Sequence, residues 1–211
     1  MSDNEMELVD KLFEKANDYF TFVQISSKYP ELLKIQQNNI SYQIFELYNE
    51  IFSFKFIAKH NYYKEMCIQY VKQGLIPRYE ETKDEQLLHI GVEKLKEIEN
   101  EYYDCDMTRR VNVLLAQIFL YMEKYQEAEK YINEAYQDYD FSTNTFILYM
   151  KILDAQKKFE DMIDYSEEYC YKYSKLHKKV CYSDLCVANI ENSQYKDKFK
   201  RIFGGQDEDE C

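Results

Sequence analysis

The sequence predicts an all-α protein, a short α-solenoid of antiparallel helical hairpins with about nine or ten helices. Three observations carry this. Apolar residues recur at three and four along most of the chain, the mark of one buried helix face. Turn formers are scarce, with Gly 4 and Pro 2 in 211 residues, too few for the tight turns of a β-sandwich or barrel. The stretches between periodic runs in the second half are only a few residues long, as between paired helices. Hydrophobic residues at 45% supply a sizeable core.

The elements follow in order. Met6, Val9, Leu12, Phe13 and Ala16 share a face that continues through Phe20 and Val23, so a first helix runs towards Pro30. Leu32 to Lys59 carries Ile40, Ile44, Leu47, Ile51 and Phe54, a long helix with a break at Gln36-Gln37-Asn38-Asn39. His60-Asn61 reads as a turn. Tyr62 to Gln73 is a further helix, capped by Gly74 ahead of Pro77. Arg78 to Asp84 is polar and loop-like. Glu85 to Tyr103 is helical, with its face at Leu87, Leu88, Val92, Leu95 and Ile98. Asp106 is the N-cap candidate for what comes next. Helices are then expected at 107–122, 125–138, 143–156, 159–173, 177–190 and 193–202. The chain thus divides into a helical region 1–104, helical hairpins 105–203 and an acidic tail 204–211.

Charge narrows the partners. The net charge is −12, which repels phosphate backbones and anionic membrane surfaces, so nucleic acid is not expected as the main ligand. The densest basic stretch, Lys172, Lys175, Lys178 and Lys179, follows Glu167 and Glu168, which weaken it. The longest apolar run, Val111 to Met122, is interrupted by Asn112 and Gln117 and is too short to span a bilayer, which takes about 20 apolar residues. The acidic N-terminus lacks a secretory signal, so the expected location is cytoplasmic or nuclear. Cys67, Cys105, Cys170, Cys181, Cys186 and Cys211 form no dense framework and read as buried or free thiols. Tyr 22 and Phe 13 with Trp 0 make tyrosine a core filler, with its hydroxyl at the rim.

A spacing of about 34 residues marks the second half. Leu115, Ala116 and Phe119 share one helix, and Ala128, Ile132 and Ala135 share the next, which opens at Tyr125. Two helices nest closely only where a side chain is small. Ala116 and Ala128 leave that gap, and Leu115, Phe119 and Ile132 fill the space around it. In these residues the chain resembles the tetratricopeptide-repeat (TPR) family. Asn112 stands where the family carries an aromatic, and Asp140 where it carries a closing proline. One period on, Phe146, Tyr149, Leu153 and Phe159 fall in register, while Met150, Met162 and Tyr169 replace small residues. That hairpin is expected to be splayed. The resemblance covers residues 109–173, and 1–104 are either degenerate repeats or a cap.

The resemblance implies a protein-binding groove lined by first helices. The corresponding positions are Arg110, Val113, Leu114, Gln117 and Tyr121, then Ile147, Leu148 and Lys151. Val113 and Leu114 donate no hydrogen bonds, so the carboxylate clamp of one TPR subclass is not expected. The groove suits an apolar helix or extended segment instead. No nucleophile elbow or H-E-x-x-H motif is present, and His60, His89 and His177 are the only histidines. His177 and Cys181 share a helix face, with Cys170 upstream, but Cys186 points elsewhere, so packed or free thiols are expected rather than zinc. The reading is a non-catalytic interaction module, without cofactor or metal, that scaffolds a multiprotein assembly. The alternatives are a peptide- or ligand-sensing helical-repeat regulator and an enzyme with an unfamiliar all-helical site.

Overall fold

The structure, a computed structural model, describes residues 3–26, 37–99, 105–136 and 143–173. Among them the regular structure is entirely helical. No helix among the described residues is long and apolar enough to cross a membrane. The chain forms two compact units, 1–122 and 123–211. The expected helices at 177–190 and 193–202, and the tail 204–211, lie outside the described residues.

In the first unit, α1 (Asp3–Ser26) packs along α2 (Gln37–Ser53). Val9 and Ala16 are fully buried on the three-and-four stripe of α1. On α2, Ile44, Leu47, Tyr48 and Ile51 face inward. The two helices run antiparallel. Phe13 meets Tyr48 edge-on, with ring centroids 6.4 Å apart, whereas Asp10, earlier in α1, reaches His60 beyond the end of α2. The helix expected over Leu32–Lys59 is shorter than its apolar pattern implies. It stops at Ser53, whose Oγ donates to the Glu50 carbonyl at 2.7 Å, and a 3-10 turn, Ile57–Lys59, follows. His60 then makes the turn seen in the sequence, and its Nδ1 accepts the Tyr62 amide at 3.1 Å.

The largest departure from the sequence reading is at Gly74. No helix ends there. Tyr63–Gln69 (α3) passes into a π-helical segment, Tyr70–Leu75, and on into Ile76–Thr82 (α4). Ile76 N–H bonds the Val71 carbonyl five residues back. The wider turn explains why Pro77 is tolerated. A proline ring normally collides with the carbonyl four residues earlier, but Pro77 falls directly after the π segment, in the first turn of α4, where the α-helical bonding register is broken. Gly74 serves close packing instead. A Cβ there would lie 3.1 Å from the Tyr70 ring and 3.6 Å from the Phe45 backbone. Arg78 to Thr82, read as loop, is therefore helical, and the connector shrinks to Lys83-Asp84.

Helix α5 (Glu85–Glu99) starts from Asp84, whose carboxylate accepts the Gln86 amide at 3.0 Å as an N-cap. It packs on α3, the π segment, α4 and α6 (Cys105–Tyr121). Gly91 leaves room for a side chain of α6, since a Cβ there would meet Ile118 Cδ1 at 2.9 Å. Tyr70 is the centre of an aromatic cluster, 5.5 Å from Tyr48, 5.0 Å from Phe52 and 6.3 Å from Phe45.

In the second unit, α7 (Tyr125–Tyr136) packs on α8 (Thr143–Ala155), and α8 on α9 (Phe159–Tyr173). Ala128, Ile132, Phe146, Tyr149, Ile152, Leu153 and Ile163 are buried. Tyr149 lies 4.6 Å from the Tyr165 ring and donates its hydroxyl to Asn133. Glu129 of α7 accepts both Lys158 Nζ at 2.6 Å and Gln156 Nε2 at 2.9 Å from the α8–α9 turn. That turn is Schellman-like, with Lys157 left-handed (φ 59) and Lys158 N–H bonded to the Leu153 carbonyl.

With so few glycines, left-handed helix ends fall to other residues: Lys83 after α4, Glu123 after α6 and Lys157 after α8. A side chain in that region costs about 1–2 kcal/mol. Glu123 is the worst placed, because its negative charge also meets the negative end of the α6 dipole. Glu123→Gly is expected to raise unfolding stability by about 1 kcal/mol, read as a higher urea midpoint at unchanged slope.

Candidate functional site

Two features of the first unit hold chemistry: a chain of polar groups that runs from the part-buried Glu65 to the buried Gln73, and a groove beside it. The chain runs along one stripe of α3 and the π segment. Glu65, Gln69 and Gln73 follow at i, i+4, so each side chain reaches the next. Gln73 Nε2 donates to Gln69 Oε1 at 2.6 Å, and Gln69 Nε2 donates to Glu65 Oε1. Three other helices tie into this stripe. Arg110 of α6 grips Glu65 with both terminal guanidinium nitrogens, Nη1 and Nη2, at 2.9 and 2.7 Å. Tyr48 of α2 donates its hydroxyl to Gln73 Oε1 at 3.1 Å. Asn17 of α1 accepts from Gln73 Nε2 at 3.3 Å. Gln73 is only 4% exposed, so nearly all its hydrogen bonding is internal.

Burial raises the Glu65 carboxyl, but the Arg110 and Gln69 hydrogen bonds and the Arg110 charge outweigh it. The group is held below the usual carboxylate range. Desolvation pushes the Tyr48 hydroxyl far up, reinforced by the Glu65 charge, so it remains a donor to Gln73. Tyr48 thus departs from the expected tyrosine pattern: its hydroxyl lies inside the core rather than at its rim.

The groove lies between α1 and α2, with a volume of about 560 Å³. Lys15 and Tyr19 form the α1 wall, and Tyr42, Glu46, Leu47 and Glu50 stand on the α2 side. Leu47 is 8% exposed and gives an apolar floor, while Tyr42 is 43% exposed at one end. Arg78 of α4 lies 5.1 Å from the Tyr42 ring centroid, and Lys15 lies 5.7 Å from that of Tyr19. Glu46 and Glu50 are exposed one helical turn apart, and their carboxylates make no hydrogen bond or ion pair among the described residues. Asn49 beside them is engaged, accepting the Tyr70 hydroxyl at 2.6 Å.

The sequence-derived groove residues fall in both units. Arg110, Val113, Leu114, Gln117 and Tyr121 lie on α6 in the first. Ile147, Leu148 and Lys151 lie on α8 in the second. Arg110 is committed to Glu65. Leu114 and Leu148 are buried, at 6% and 9% exposure, and Val113 and Ile147 are half-buried. Gln117 contacts the Tyr121 hydroxyl at 3.4 Å, and Tyr121 donates to Glu80 and packs on Tyr79. Lys151 is exposed. Of the histidines, His60 is buried with Nε2 3.3 Å from Asp10 Oδ1, close but not aligned as a hydrogen bond. His89 is exposed. The His177, Cys181 and Cys186 constellation lies outside the described residues. Among the described residues no three His, Cys, Asp or Glu side chains are grouped to hold a metal ion.

The sequence reading missed Tyr19, Tyr42, Glu46 and Glu50. The available signal was Glu46 and Glu50 at i, i+4 beside the buried stripe of α2. No protein-family model, curated protein or solved structure matches the chain.

The Glu65 carboxylate carries a sign for acid stability. Its folded pKa lies below the unfolded one, so its contribution is present above the unfolded value, about 4.3, and is lost as pH falls through the folded value. Glu65→Gln is expected to flatten the acid side of the stability–pH curve, measured by urea unfolding from about pH 3 to 7. Arg110→Lys keeps the charge and loses the fork, so it should cost about 1–2 kcal/mol at neutral pH.

Proposed function

We propose that the chain is a non-catalytic helical interaction module, TPR-like in residues 109–173, that scaffolds a protein assembly. The observation that carries this reading is the α1–α2 groove. It offers an apolar floor, aromatic walls and uncompensated carboxylates on a helix pair pinned from beneath by the Gln73 hydrogen bonds. A surface held in one geometry loses little conformational entropy when a partner docks, so a modest groove suffices for useful affinity. The sequence adds two supports: the helical spacing of Ala116, Ala128 and Ala135, and the absence of a recognisable catalytic motif.

The net charge of −12 gives the encounter a direction. Acidic surfaces speed the approach of basic partners and make that approach salt-sensitive. Affinity purification of the full chain from its native source, read by mass spectrometry, should recover a stable protein partner. Association of the purified pair should slow as salt rises. A chain that retains no stoichiometric partner contradicts the module reading, and a salt-independent rate removes charge from it.

A further inference from the structure

We propose that the α1–α2 groove takes a short amphipathic segment of a partner protein, with a lysine or arginine seated against Glu46 and Glu50 and an apolar side chain against Leu47 and Tyr42. The inference rests on the interaction-module reading and names the partner's chemistry. Charge complementarity commits it to a basic occupant. Glu46 and Glu50 sit on one face of α2, one turn apart, both exposed and both without an ion pair among the described residues. Lysines pair with carboxylates elsewhere in the first unit, as Lys94 does with Glu97 at 3.2 Å and Lys96 with Glu99 at 2.6 Å. Other exposed carboxylates of this unit, such as Glu93, are also unpaired among the described residues, but Glu46 and Glu50 stand together beside the apolar floor of a groove, where a partner cation gains both charge and contact.

The apolar half of the site comes from the same helix pair. Leu47 floors the groove, with Tyr42 and Tyr19 on either side. Arg78 lies over the Tyr42 ring and Lys15 over that of Tyr19, so cations of this chain stand beside both aromatic side chains of the groove. Phe22 extends the α1 wall by helical spacing, three residues beyond Tyr19, and is exposed. From Tyr42 to Glu50 the wall is roughly 12 Å long at 1.5 Å per residue, room for about two helical turns of a partner. Lys15 is the single cation among the groove-lining residues, and it faces two carboxylates, so the balance remains negative.

The test uses the full chain and two synthetic amphipathic peptides of about fourteen residues, leucine with lysine and leucine with glutamate at helical spacing. Binding is read by calorimetry at physiological salt. The basic peptide should bind and the acidic one should not. The double substitution Glu46→Gln with Glu50→Gln should weaken the basic peptide by about tenfold or more. A control, Glu93→Gln with Glu127→Gln, removes the same charge from exposed carboxylates elsewhere and should change affinity less than about twofold. Tyr42→Ala should also weaken it. Equal losses in both double variants would mean bulk charge attraction and overturn the proposal, as would equal binding of the acidic peptide or no binding of the basic one. Capture from the native source separates this failure from that of the module reading. A partner held equally by wild type and the Glu46/Glu50 variant sinks the groove and leaves the module, whereas no partner on wild type sinks the module itself.

Discussion

The first unit depends on one constraint: a buried amide, Gln73, must have its donors and acceptor satisfied from inside the protein. An unsatisfied buried polar group costs about 1–3 kcal/mol, comparable to the gain from burying a whole Leu or Ile side chain. Gln73 therefore fixes where its neighbours stand. Tyr48 must approach from α2, Asn17 from α1 and Gln69 from the preceding turn. Through Gln69 and Glu65 the same chain reaches Arg110 on α6. Apolar packing alone tolerates sliding of one helix on another, whereas a chain of directed hydrogen bonds admits one register.

The π segment belongs to this arrangement. Ile76 bonds five residues back, and the widened turn admits Pro77 without ending the helix. Gly74 adds the close approach to α2 that brings Tyr48 within reach of Gln73. Tyr70, the first residue of the segment, stacks into the aromatic face of α2 and donates to Asn49. Asn49 stands between the core and the groove. The groove wall is thus anchored to the core through α2, and hydrogen bonds that end on the buried Gln73 support a surface.

Much of the helical architecture was legible from spacing. The stripe Val9–Phe13–Ala16, the turn at His60 and the start and end of α9 are where periodicity places them. So is the burial of Ala116, Ala128 and Ala135. The misreadings have a shared cause: local signals give way to tertiary ones. Gly74 and Pro77 read as a helix stop because alone they would be one, and only a π turn packed against Phe45 and Tyr70 makes them a continuation. Phe54 continues the pattern of α2 although the helix has already ended at Ser53. The candidate site was harder still. Arg110 has the right chemistry for a partner, yet Glu65, 45 residues away in sequence, had already taken it. No spacing rule reports such a partner.

Amide hydrogen exchange on the full chain, comparing wild type with Gln73→Met, reads whether this one amide holds α1 and α2 in place. Methionine keeps the volume and removes both links, leaving Tyr48 and Asn17 without their shared partner. If Gln73 pins the helices, amides of α1 and α2 should exchange at least about tenfold faster, while those of α5 keep their protection. Unchanged protection across α1, or a loss spread evenly over the whole unit, would mean that Gln73 does not pin the helices.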